Sequence, residues 1–207
     1  MTTLAIDTST LWGSVAILAG EEVLFAEDFV ADRSHSATLF TILERALKIA
    51  PRPERLAIGL GPGSYAGIRI AIAAGIGLEL ALGAELVGIP SVAAWESGEY
   101  LAVGDARRST YYWTHVVEGD CVEGPLLLEE AEFRARLAAA NLPVYATEPL
   151  PGFENVKLAR PAAKTLARLC AAGRSVAAGP LEPIYLREPH ITQPKKASLP
   201  AGDAKAR

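Results

Sequence analysis

The sequence is poor in the residues that build metal and redox sites. Its 207 residues include 2 cysteines and 3 histidines. Cys121 and Cys170 have neither metal-ligand spacing nor the density of a disulfide scaffold, and both adjoin apolar segments, a usage that fits a reducing cytosol. His35, His115 and His190 form neither an H-E-x-x-H nor an H-x-x-x-H pair, so no mononuclear metal enzyme is expected. A basic surplus is also lacking. With 20 Lys and Arg against 24 Asp and Glu, the formal charge is −4, which gives no broad attraction to nucleic acid or an anionic membrane. Any RNA contact has to be local or made by a partner. The longest strongly apolar run, Ile70 to Leu78, lies between Arg69 and Glu79 and falls short of the roughly 18 residues of a spanning helix. The start, MTTLAIDTST, lacks the basic flank of a signal peptide. These absences predict a cytoplasmic globular protein without a membrane segment.

What is abundant is apolar residues, at 50%, enough for a sizeable core. Leu4 to Ile6, Ser14 to Leu18 and VLFAEDFV form a three-strand meander. SHSATLFTILERAL follows with Leu39, Ile42, Leu43, Ala46 and Leu47 at helical spacing, and Ser34 or Ser36 as N-cap. LAIGL is a buried-type strand, a second helix starts after Ser64, and LVGIP closes the half. The order then repeats: YLAVGDA, TYYWTHVVEG and CVEGPLLL as strands, EEAEFRARLAAA as helix, PVYA as strand, and PAAKTLARLCAAG as helix. Pro161 suits its first turn and Gly173 its C-terminal cap. Two βββαβα halves predict a duplicated ribonuclease H-like α/β fold of the actin and Hsp70 type. The expected division is residues 1–98, residues 99–187 and a disordered tail at 188–207.

In that fold the turn after the first strand approaches phosphates. DTST occupies it here: Asp7 could orient hydrated magnesium, and the Thr8 and Ser9 hydroxyls could contact phosphate. They could equally cap local turns. The corresponding turn of the second half, DARRST at 105–110, carries two arginines where close backbone approach favours glycine. The segment GLGPGSYAGIRIAIAAGIGLEL at 59–80 joins a glycine-rich loop to a helix. It lacks the lysine of a P-loop, and Gly61, Gly63 and Gly67 give G-x-G-x-x-x-G rather than a dinucleotide fingerprint. Pro62 and Gly63 therefore shape a turn, and Ser64 caps the helix. From Ile68 to Leu82 only Arg69 and Glu79 are charged, so the helix has to be covered on more than one side. Gly67, Ala71, Ala74, Gly75 and Leu78 form a small-residue face on which another backbone could pack, and Phe40 widens the apolar stripe of the first helix.

AIDTST, RSHS at 33–36, GLGPGSYAGIRI, LVGIPSVAAW, DARR at 105–108 and PIYLR at 183–187 together resemble the TsaB (YeaZ) family. The resemblance implies a non-catalytic subunit that pairs with TsaD, the transferase forming N6-threonylcarbamoyladenosine at tRNA position 37, with the ATPase TsaE joining the complex. It also implies pairing through the N-terminal helices, on TsaD or on a second copy when TsaD is absent, with ATP and metal held by TsaD and TsaE and tRNA met only indirectly. Expected interface residues are His35, Leu39, Phe40, Leu43, Leu47, Gly67, Ala71, Ala74, Gly75 and Leu78; no catalytic or metal-binding residue is expected. Trp12 and VGDARR depart from the family pattern, which has small or polar residues and L-I-D-A-R-R there. The competing readings are a self-standing ATP-dependent phosphotransferase of the actin-like superfamily, and a peptidase, for which no nucleophile or metal set is found.

Overall fold

The computed structural model describes residues 1–30, 35–174 and 180–187. The tail expected at 188–207, and Ser34 as a helix cap, lie outside them. Strands β1 (Thr2–Asp7), β2 (Trp12–Ala19) and β3 (Glu22–Val30) form the expected antiparallel meander. Helix α1 (His35–Ile49), β4 (Arg55–Gly59), helix α2 (Tyr65–Leu82) and β5 (Glu85–Ile89) complete a sheet of order β3-β2-β1-β4-β5. A short 3-10 turn at Ser91–Ala94 leads to β6 (Glu99–Asp105), β7 (Thr110–Val117) and β8 (Asp120–Glu129), then α3 (Glu130–Ala139), β9 (Val144–Ala146), β10 (Lys157–Leu158) and α4 (Ala163–Ala171). The second sheet runs β10-β9-β6-β7-β8, which repeats the order of the first. This is a duplicated ribonuclease H-like fold.

The second half departs from the expected order in one respect: a short strand, β10, stands between β9 and the last helix, and no helix joins β9 to β10. The connection, TEPLPGFENV, carries Pro149, Pro151 and a left-handed Gly152, each hostile to helix. The helix that follows serves the other half. Ala163, Leu166, Ala167 and Cys170 recur at helical spacing and pack with Ala5, Ala16, Leu18, Ala57, Val87 and Ile89 of the first sheet. The alanines on β1, β2 and β4 let this helix come close. Both of its ends are tied to the same half: Ser14 Oγ accepts from the Ala163 N–H at 3.0 Å, and Arg55 donates to the Cys170 carbonyl at 3.2 Å. Gly173 ends it at φ +67° as expected, whereas Pro161 stands before the cap residue Ala162 rather than in the first turn.

The first sheet is therefore covered twice, with Leu4, Ile6, Ile17, Leu56 and Ile58 turned toward α1 and α2 and the alanine face toward α4. That explains why β1 and β4 read as continuous apolar runs. In the second sheet Leu101, Val103 and Trp113 pack on Phe133 of α3, while Tyr100, Ala102 and Tyr112 pack on Val92 and Trp95.

Candidate functional site

The first phosphate turn is closed by its own chain. Asp7, Thr8 and Ser9 are all buried. Thr8 Oγ1 donates to the Gly67 carbonyl at 2.6 Å, and the Ser9 amide and hydroxyl donate to Asp7 Oδ1 at 2.8 and 2.7 Å. The Ser64 N–H meets the Ser9 carbonyl at 2.6 Å. The glycines of the loop permit this seating. A Cβ on Gly63 would lie 2.1 Å from the Ser9 carbonyl oxygen, one on Gly67 1.9 Å from that of Thr8, and one on Gly59 1.8 Å from Asp7 Oδ2. Gly61 takes φ +91° before Pro62, its amide donates to Ser91 Oγ at 2.9 Å, and Ser64 caps α2 by accepting from the Gly67 N–H at 3.2 Å. Asp7 Oδ2 is left without a hydrogen-bond partner among the described residues. Burial pushes the Asp7 carboxyl above the ordinary carboxylate range, opposed by the Ser91 and Ser9 hydroxyls.

Helix α2 carries its expected interface on the wrong side. Gly67, Ala71, Ala74 and Gly75 are buried against the protein's own sheet, as are Leu39 and Leu43 of α1. Gly75 is a glycine because a Cβ there would lie 2.8 Å from the Ile58 side chain. Leu47 and Leu78 are partly buried against the same core, and of the expected anchors Phe40 stands well exposed, at 56%. His35 is the first residue of α1. The error has a physical cause. A helix apolar all round has no periodicity to say which face is inside, and the small residues that seat a foreign backbone also seat a native one.

The opposite face of α2 is exposed and still apolar: Ala66, Ala73, Ile76 (42%), Gly77, Leu80 (82%) and Ala81. Gly77 has nothing within 4 Å of the place a Cβ would take, so no internal contact explains the roughly 1 kcal/mol it costs in a helix. The position beside Gly75 was the available signal for this second face. At 18 residues α2 is long and apolar enough to span a membrane, contrary to the sequence expectation, yet one side of it is committed to the sheet.

The second turn is open. Arg107, Arg108 and Ser109 occupy the left-handed region at φ +68°, +58° and +57°, at about 1–2 kcal/mol for each non-glycine residue. Asp105 Oδ1 accepts from the Arg107 N–H at 2.6 Å and holds the turn. The segment 181–187 reaches it from the glycine loop. Ile184 donates to the Leu60 carbonyl at 2.8 Å, and Arg187 donates to the Arg107 carbonyl at 3.3 Å and to the Thr110 hydroxyl. Between them Tyr185 stacks on Tyr65, with ring centroids 4.9 Å apart. Sequence reasoning matched PIYLR only as a family motif; its role depends on contacts far apart in the chain.

A shallow cavity of about 370 Å³ lies in the second half, floored by Leu101, Trp113 and Leu142. Its polar rim is paired off: Glu123 accepts from Trp113 Nε1 at 3.1 Å and from Arg136 at 3.0 Å. Among the described residues no group of three or more His, Cys, Asp or Glu is placed to hold a metal.

Residues 29–123 match the family described as TsaD, tRNA N6-adenosine threonylcarbamoyltransferase. The Escherichia coli tRNA threonylcarbamoyladenosine biosynthesis protein TsaB is 30% identical over 222 residues, covering 90% of this chain and 95% of its own. The Haemophilus influenzae protein of the same name is 36% identical over 132 residues, 56% of this chain and 54% of its own. Among solved structures, YeaZ from Pseudomonas aeruginosa superposes with a TM-score of 0.68 at 25% identity, covering 89% of this chain and all of that one. With the fold, the glycine loop seated on DTST and this coverage in agreement, the chain belongs to the TsaB (YeaZ) family, which acts in tRNA threonylcarbamoyladenosine biosynthesis.

Proposed function

We propose that this protein is the non-catalytic, activating subunit of the tRNA N6-adenosine threonylcarbamoyltransferase complex, and that it docks on TsaD through the outward faces of α1 and α2. The observation that carries this reading is the apolar outer face of α2, Ala73, Ile76, Gly77 and Leu80, together with the exposed Phe40 of α1. A face of this kind is unusual on a lone protein and characteristic of an interface core. Ile76, Leu80 and Phe40 supply anchors, and Gly77 and Ala73 let a partner helix approach. The ribonuclease H-like turns contribute differently from those of a kinase: DTST braces α2 and takes no nucleotide. The complex carries TsaE and meets its tRNA in the cytoplasm, and without TsaD the same helices pair two copies of this chain.

The test is tRNA modification by TsaD and its other partners with and without this chain, together with Leu80→Glu and Ile76→Glu. Both side chains are exposed, so each variant is expected to melt within a few degrees of the parent. Co-elution with TsaD is expected to weaken at least about tenfold, with modification falling in parallel, since central anchors typically contribute ~2 kcal/mol or more. Modification that proceeds equally well without this chain would sink the reading, and unchanged co-elution of both variants would remove the interface assignment.

A further inference from the structure

The outer end of α2 and the second turn form one continuous basic and aromatic strip. Arg69 donates to the Tyr65 hydroxyl at 2.6 Å, with its guanidinium 5.2 Å from the ring centroid, and Tyr65 stacks on Tyr185. Two residues on, Arg187 holds the carbonyl of Arg107. Ile184 and Leu186 pack against the two cores, while Tyr185 and Arg187 are exposed. Arg107 has 83% of its side chain exposed and a single loose carboxylate neighbour, Asp105, at 3.9 Å. Arg108 is exposed and has no ion-pair partner among the described residues. Two arginines in succession at positive φ, with no side-chain burial in return, are the mark of a backbone held for what it presents.

We propose that this strip, Arg69, Tyr65, Tyr185, Arg187, Arg107 and Arg108, is a contact site for single-stranded RNA, gripping phosphates with the guanidinium groups and stacking an unpaired base on the exposed tyrosine pair. The guanidinium and hydroxyl groups could also meet an acidic protein surface, but the stacked aromatic pair adds flat apolar faces that suit bases and that carboxylates do not use. The acidic charge of the whole chain limits the contact to this patch, so it positions a tRNA loop rather than supplying most of the affinity. The choice of RNA rests on the proposed role in tRNA modification.

The test uses the full chain, alone and with TsaD, titrated by fluorescence anisotropy with a labelled RNA stem-loop and with the matching duplex lacking the loop, across roughly 50 to 200 mM salt. In the Arg107→Gly, Arg108→Gly double variant, glycine keeps the backbone hydrogen bonds of the turn and relieves its strain. Stem-loop binding should weaken at least tenfold, and the salt slope should shrink by about 1.4, roughly 0.7 for each phosphate that an arginine no longer neutralises. The melting temperature should rise by about 2–4 °C or more. Tyr185→Ala should weaken the stem-loop at least about fivefold and leave the duplex unchanged. Unaltered affinity and slope in the double variant, or a fall in its melting temperature, would overturn the proposal. So would a variant that keeps RNA and loses TsaD, because the strip would then be a protein-docking surface. A parent chain that binds the stem-loop as expected but does not pair with TsaD supports this inference while defeating the proposed function.

Discussion

The same turn occurs twice in this molecule and has been put to opposite uses. At Asp7 to Thr10 the backbone carbonyls are pressed against Gly63 and Gly67, and the hydroxyls are spent inside the chain. At Asp105 to Thr110 the side chains of Arg107, Arg108 and Ser109 face outward on a backbone that no glycine relaxes. Asp7 and Asp105 begin the two turns and mark the contrast. The first is fully buried with one oxygen unpartnered among the described residues, and the second holds the Arg107 N–H at the surface. Duplication allows this division. One copy of the turn is the seat on which α2 rests, and the other leaves its arginine side chains exposed.

The sharpest way to break the comparison is to unseat the helix. Gly67→Ala would put a methyl 1.9 Å from the Thr8 carbonyl oxygen, an atom that cannot move without disrupting β1 and the turn. The expected loss is at least ~3 kcal/mol in denaturant unfolding, against a gain for glycine at Arg107 and Arg108 in the other turn. A loss below about 1 kcal/mol would show that α2 is not fixed by this contact. Next comes Ser14→Ala, which removes the acceptor of the Ala163 N–H and the donor to Asp28 at 2.7 Å. A cost of about 1–2 kcal/mol is expected. No change would mean that the second half's helix is held on the first sheet by apolar packing and the Arg55 contact, without help from Ser14.

A smaller effect separates the two aspartates. The Asp7 carboxyl is raised above 3.8 by burial, so the folded state binds this proton more tightly than the unfolded chain. Its contribution is favourable at low pH and is lost as pH rises from about 3.8 through the folded-state value. Asp7→Asn keeps the acceptor for Ser9 and removes the charge. It should gain about 1 kcal/mol near pH 7 relative to the parent, and the gain should vanish in acid. Asp105→Asn keeps its bond to the Arg107 N–H at an exposed site and should stay within about 0.5 kcal/mol of the parent. A parent and Asp7→Asn pair whose stabilities run parallel across pH 3 to 7 would contradict the assignment.

Local chemistry was legible in the sequence and long-range packing was not. Ser64 as N-cap, Gly173 as helix stop and the three-strand meanders follow from neighbours within a few residues, and the structure contains each of them. The apolar stripe of α4 was visible too, but not that it covers the sheet of the other half, because an alanine face fits either. For α2 the uniform apolarity removed the periodicity that would distinguish inside from outside. The Tyr65 and Tyr185 stack joins residues 120 positions apart in sequence, beyond any reading of local pattern.

The mildest substitution tests the two faces of α2 directly, because it carries one glycine on each. Gly75→Ala meets Ile58 at 2.8 Å and Leu86 at 3.1 Å and should destabilise the chain, whereas a Cβ on Gly77 meets nothing within 4 Å. Gly77→Ala should therefore stabilise the isolated protein by up to about 1 kcal/mol through helix propensity, seen as a rise of roughly 2–4 °C in melting temperature. If α2 docks by close helix contact, the same methyl should weaken co-elution with TsaD. A stabilised variant that pairs as well as the parent would leave Ile76 and Leu80 as the anchors and remove close backbone approach at Gly77 from the interface.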